Sequence, residues 1–67
     1  MNITLNNRSE VLDQNNITIS QLLEIKNYTF KMLVIKVNGE LVKKDQYKSF
    51  IVKEGDDVNV LHLISGG

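Results

Sequence analysis

The residues with the clearest chemical potential are the last three, Ser65-Gly66-Gly67. Glycine loses the most conformational freedom on ordering and has no side chain to pack, so a Gly pair adds nothing to a small core. With Gly at about 7% of residues, such a pair at the final two positions arises by chance in roughly 0.5% of chains. Two readings are open. One is a frayed or leftover end. The other makes the Gly67 carboxylate a reactive group delivered into another protein's active site, with Gly66 and Ser65 held by that partner.

Other residue types offer less. There is no Cys, so disulfides and thiolate metal sites are excluded, which fits a reducing cytoplasm. His62 is the only histidine, and no motif supplies it with convergent catalytic or metal-binding partners; a solvated or partly packed strand position explains it. Asp56-Asp57 resembles a metal or acid pair, but neighbouring residues diverge in direction and a turn before a strand accounts for them. Ser9, Ser20, Ser49 and Ser65 lack a nucleophile elbow. Lys43, Lys44 and Lys48 read as a solvated face or a contact for an acidic partner. Tyr28, Phe30, Tyr47 and Phe50 read as packing residues rather than a base-stacking platform. No acid–base constellation of a conventional enzyme is visible.

Composition narrows the classes further. Sixty-seven residues allow one domain, and 42% apolar content supports one thin core. A chain of this size buries only about 60% of the surface its unfolded form exposes. Eight basic and eight acidic residues cancel, leaving no electrostatic footprint for nucleic acid or an anionic membrane. No apolar run approaches the ~18 residues of a membrane span, and the N-terminus lacks the basic and apolar regions of a signal peptide.

The elements that must position the terminal residues follow from the hydrophobic pattern. Met1 to Asn6 alternates as a half-buried strand, Asn6-Asn7 turns, and Glu10-Val11-Leu12 closes a hairpin. After a break at Asn15-Asn16, Thr18-Ile19-Ser20-Gln21 reads as a capping box. Ile19, Leu22, Leu23 and Ile25 then follow at helical spacing, and the helix ends near Asn27. Met32 to Val37, rich in β-branched residues, predicts a strand that Asn38-Gly39 turns back into Glu40-Leu41-Val42. Lys43 to Lys48 is polar and reads as a turn of helix or a loop, Phe50-Ile51-Val52 as a short apolar piece, and Glu54 to Asp57 as a turn with Gly55 as its permissive residue. Val58 to Ile64 is the last strand and leads directly into the Gly pair. The arrangement expected is a mixed sheet with the helix across one face.

Asn38-Gly39-Glu40-Leu41-Val42, then Asp45-Gln46-Tyr47, then Glu54-Gly55-Asp56-Asp57-Val58, then the terminal Gly66-Gly67, in this order and at this length, resemble the ThiS family of sulfur carriers in thiamine biosynthesis. The first strand and the Thr18…Leu22-Leu23 helix also sit where that family places them, so the resemblance covers essentially the whole chain. It implies an α+β fold, the β-grasp or ubiquitin-like mixed sheet with one main helix on one face. It further implies a single domain over 1–67 with 65–67 as a flexible tail. Lys43 stands where members often have Pro, a departure that bears on loop stiffness rather than chemistry.

The resemblance also implies a carrier rather than an enzyme. A carboxylate is a poor electrophile, because its charge is delocalised and its oxygen leaves badly. A ThiF-like adenylyltransferase would use ATP to convert Gly67 into an acyl-adenylate, and a cysteine desulfurase or other persulfide donor would supply the sulfur of a thiocarboxylate. A ThiG-like thiazole synthase would then receive it. No cofactor is expected on the chain itself, ATP being used by the partner, and the expected location is cytoplasmic. Without Cys the chain cannot hold sulfur as a side-chain persulfide, so if it carries sulfur the C-terminus is the carrier position.

Docking would fall to the last strand. Val58 and Val60 point to one face, Asn59, Leu61 and Leu63 to the other. If the valines pack under the helix, Leu61 and Leu63 form an exposed apolar strip leading to the tail; the reverse register would bury them instead. Three other functions stay open: a MoaD-like small subunit of molybdopterin synthase, a ubiquitin-like modifier that joins Gly67 to lysines, and an interaction-only β-grasp module.

Overall fold

The computed structural model describes residues 1–28 and 32–63. The expectations for Phe30, for Ile64 and for the tail at 65–67 lie outside that range.

The first hairpin forms because two adjacent asparagines accept a left-handed backbone. Asn6 and Asn7 sit at φ 51° and 65°, values that Asn tolerates better than most residues. The turn joins β1 (Asn2–Leu5) to β2 (Arg8–Val11), with Leu5 opposite Arg8. So tight a turn starts the second strand at once, earlier than the Glu10–Leu12 expected from hydrophobicity. Leu12, just past β2, is buried instead as part of the core.

Thr18 caps the helix α1 (Ile19–Ile25) as its spacing predicts. Its Oγ1 accepts from the Gln21 amide at 3.1 Å, and the Gln21 side chain returns an acceptor to the Thr18 amide at 2.8 Å. At the other end Asn27 takes φ 57°, with Asn27 N donating to Glu24 O and Tyr28 N to Leu23 O. This pair of bonds is a Schellman closure with Asn in the place glycine usually holds. Ile19 and Leu22 are fully buried, while Leu23 is half-buried against them. Ile25 lies about 240° around the helix from Ile19, off that stripe, and is exposed.

The remaining elements are β4 (Leu33–Val37), β5 (Glu40–Val42), a 3₁₀ turn (Lys44–Gln46), β6 (Ile51–Val52) and β7 (Asp57–His62). Asn38 and Gly39 both have positive φ, as a two-residue hairpin turn requires. Five strands form one sheet in the order β2-β1-β7-β4-β5. β1 and β7 run parallel and the other pairs antiparallel, so the sheet is mixed. A two-stranded ribbon, β3 (Ile17–Thr18) against β6, lies apart from it. It was not expected, because two residues are too few to show a period of two. Side chains from β1, β4, β5 and β7 meet the helix and this ribbon in one apolar core, and no buried polar or charged residue occurs among the described residues.

Candidate functional site

The site is best approached along β7, the strand that leads towards Ser65-Gly66-Gly67. β7 is central in the sheet, held by β1 on one side and β4 on the other. Asn6 strengthens the first of these contacts: its amide donates to Val58 O at 2.9 Å and its Oδ1 accepts from Val60 N at 2.7 Å. The side-chain amide thus extends a backbone ladder past the end of β1. On the other side, register runs from Val37↔Val58 to Leu33↔His62, and Leu63 N donates to Met32 O at 3.0 Å. Pairing therefore persists to the last described residue.

Alternation along β7 then sorts its side chains. Val58 and Val60 are buried; Leu61 and Leu63 are 55% and 45% exposed. Leu61 lies opposite Val34 on β4. Leu41, 57% exposed, lies on β5 opposite Lys36, which shares the Val34 face. Met32, beside Leu63, is also exposed. An apolar patch of Met32, Val34, Leu41, Leu61 and Leu63 therefore covers one end of the sheet's outer face. Next along that face come Lys36 and Asn59, then Asp57 and Thr4, so the patch has a polar border there, while exposed Val11 lies apart from it on β2, opposite Asn2. From Met32, Val34, Leu41 and Leu63 a groove of about 810 Å³ continues round the end of the sheet past Leu23, Tyr28 and Tyr47, with Lys43 and Lys44 on its lining.

Sequence reasoning singled out Leu61 and Leu63, and the structure brings them to one exposed patch with three residues it did not name. A signal for two of those was present: in Met32-Leu33-Val34-Ile35-Lys36-Val37, Met32 and Val34 alternate with the buried Ile35 and Val37. Leu41 was legible only once its pairing with Lys36 was known. Gly67, Gly66 and Ser65 lie outside the described residues.

The other candidates fall into structural roles. Asp56 Oδ2 accepts from Lys53 N at 2.8 Å and closes the turn that Gly55 permits at φ 84°. His62 is exposed, and no cluster of three or more metal-ligating side chains occurs among the described residues. Lys43, Lys44 and Lys48 are exposed. Tyr28, Tyr47 and Phe50 pack half-buried against the core. Burial raises the Tyr47 phenol above its usual pKa of 10.0. Among the described residues no helix is long and apolar enough to cross a membrane.

Comparison with known proteins gives this geometry a family. The ThiS family model matches residues 2–67, a span that includes Gly66 and Gly67. The crystal structure of the thiamine biosynthesis protein ThiS from Geobacter metallireducens is similar, at 28% identity and a TM-score of 0.87, with 100% of both chains covered. So is the NMR solution structure of a thiamine biosynthesis protein from the same organism, at 26% identity and a TM-score of 0.81, over 100% of this chain and 88% of that one. Comparison with curated protein sequences gave no significant match. A family match over nearly every residue, a ThiS structure superimposing along its full length, and a mixed sheet crossed by one helix agree: the chain belongs to the ThiS family of small sulfur carriers and has the β-grasp fold.

Proposed function

We propose that the chain carries sulfur on its C-terminal Gly67 as a thiocarboxylate and donates it to the thiazole ring of thiamine. The observation that carries this reading is the family match, whose span of residues 2–67 includes Gly66 and Gly67. The Gly67 carboxylate attacks the α-phosphorus of ATP in a ThiF-like partner, pyrophosphate leaves, and an acyl-adenylate forms. The terminal sulfur of a persulfide then attacks the acyl carbon and AMP leaves. A second thiol cleaves the resulting acyl disulfide, which is reduced to the thiocarboxylate while the thiols are oxidised to a disulfide. A ThiG-like synthase accepts the sulfur. The catalytic groups belong to the partners, and this chain is a protein co-substrate.

The exposed patch supports the docking half of the reading. Leu61 and Leu63, on and just after the strand that leads to the tail, share an exposed apolar patch with Met32 and Leu41 from the neighbouring segments, so a partner gripping the patch also fixes where the tail begins. Gly66 has no Cβ, and Ser65 has a small side chain, which suits a narrow channel.

The reading is tested with tail variants in a reconstituted transfer assay containing ATP, a persulfide donor and the activating enzyme. Deleting Gly67, or adding one residue after it, abolishes sulfur transfer and leaves thermal unfolding unchanged. Undiminished transfer by the extended chain contradicts the proposal.

A further inference from the structure

Of the eight asparagines, Asn38 alone precedes a glycine. The pair turns β4 into β5 with φ of 52° and 83°, and both residues are exposed. Water therefore has access. Gly39 carries no side chain to hinder approach to its amide nitrogen, and the space where its Cβ would stand is open, with nothing within 4 Å. The Asn38 carboxamide, however, is engaged across the sheet end. Its Oδ1 accepts from Asp57 N at 2.9 Å, and its Nδ2 donates to Asp56 Oδ1 at 3.1 Å. Asp56 is fixed in turn through its other oxygen by Lys53 N. The Asn38 amide donates to Asp57 O at 2.7 Å, which closes the clamp.

We propose that Asn38-Gly39 is a spontaneous deamidation site whose rate is set by the clamp of Asp56 and Asp57. The deprotonated Gly39 nitrogen attacks Cγ of Asn38; that C–N bond forms, the Cγ–Nδ2 bond breaks, and the nitrogen leaves as ammonia. Water then opens the succinimide at either carbonyl, giving aspartate or isoaspartate at position 38. Reaching the Gly39 nitrogen requires the carboxamide to turn out of both clamp bonds, so the folded protein resists the reaction. Once it has occurred the Nδ2 donor to Asp56 is gone, and that arm of the clamp cannot re-form. Aspartate puts a carboxylate against that of Asp56, a like-charge contact that disfavours both charges. Isoaspartate adds a methylene to a two-residue turn that fixes the register of β4 and β5. Both products lower the melting temperature.

The test incubates the full-length chain at neutral pH in the native state, unfolded in guanidinium, and as a folded Asp56→Ala variant. Deamidation is followed by intact mass and isoaspartate by peptide mapping. The expected product maps to position 38, forms slowest in the native chain, and forms about tenfold faster in the variant, the low end for releasing one hydrogen bond to a charged acceptor. Equal rates in native and unfolded wild type overturn the proposal, and that comparison needs no variant. So does first deamidation at another asparagine, or a wild-type rate in Asp56→Ala that keeps its far-UV spectrum.

Discussion

At the residue scale, side chains that hold the fold and side chains proposed to meet a partner separate by burial. Leu22 is fully buried on the core-facing side of the helix, so Leu22→Ala removes apolar contacts and leaves a void. A loss of about 2–5 kcal/mol is expected from denaturant unfolding, a large share of the ~5–15 kcal/mol that a domain possesses. Thr18→Ala removes a side-chain acceptor from the first turn and is expected to cost about 1 kcal/mol. Leu61 behaves oppositely. It is 55% exposed, so Leu61→Asp should change unfolding by no more than ~0.5 kcal/mol. If Leu61 docks the activating enzyme, the same change raises the KM for this chain about tenfold with kcat little altered. An unchanged KM would remove Leu61 from the docking surface.

At the element scale, much of the architecture was legible because local rules and tertiary contacts agree. The Thr18/Gln21 capping box and the Asn38-Gly39 turn each form where the sequence placed them, and of the two registers left open for the last strand the one that buries Val58 and Val60 is found. What was not legible depends on contacts between distant segments. The β3–β6 ribbon joins Ile17-Thr18 to Ile51-Val52, and neither half is long enough to show periodicity. Likewise, the patch residue Leu41 is placed by strand pairing with Lys36, which single-strand alternation cannot supply. The segment after β5 carries a pH-dependent consequence. Burial disfavours the Tyr47 phenolate, so the folded pKa lies above the ordinary 10.0. The folded state then holds this proton more tightly than the unfolded state, and that advantage is complete below pH 10.0 and lost as pH rises through the folded value. The denaturant midpoint should fall in that alkaline window, and Tyr47→Phe should flatten the fall. An identical slope in the variant would show that Tyr47 is not its source.

At the scale of the whole molecule, the sheet is arranged so that its best-anchored strand is the one leading to the terminal glycines. β7 occupies the middle of the order β2-β1-β7-β4-β5 and is paired on both sides, so opening it requires disrupting the core. The edges are less inviting. β2 sets Arg8 and Glu10 opposite Leu5 and Ile3, on the helix side, where Glu10 pairs with Lys26 at 2.9 Å. Charges turned inward on an edge strand discourage pairing with another chain. One face of the sheet thus holds the fold together, while the other is proposed to dock a partner and Gly67 to carry the chemistry. Carriage of sulfur on Gly67 can be read from the intact mass of the protein from its native host, before and after a thiol-alkylating reagent. Mass alone is ambiguous, because exchanging oxygen for sulfur nearly equals oxidation of Met1 or Met32. Alkylation resolves it, since the chain has no Cys. Sulfur carriage gives a labelled species whose adduct maps to Gly67. A Gly67 joined to a lysine instead, or no label even after supply of ATP, a sulfur donor and the activating enzyme, would contradict it.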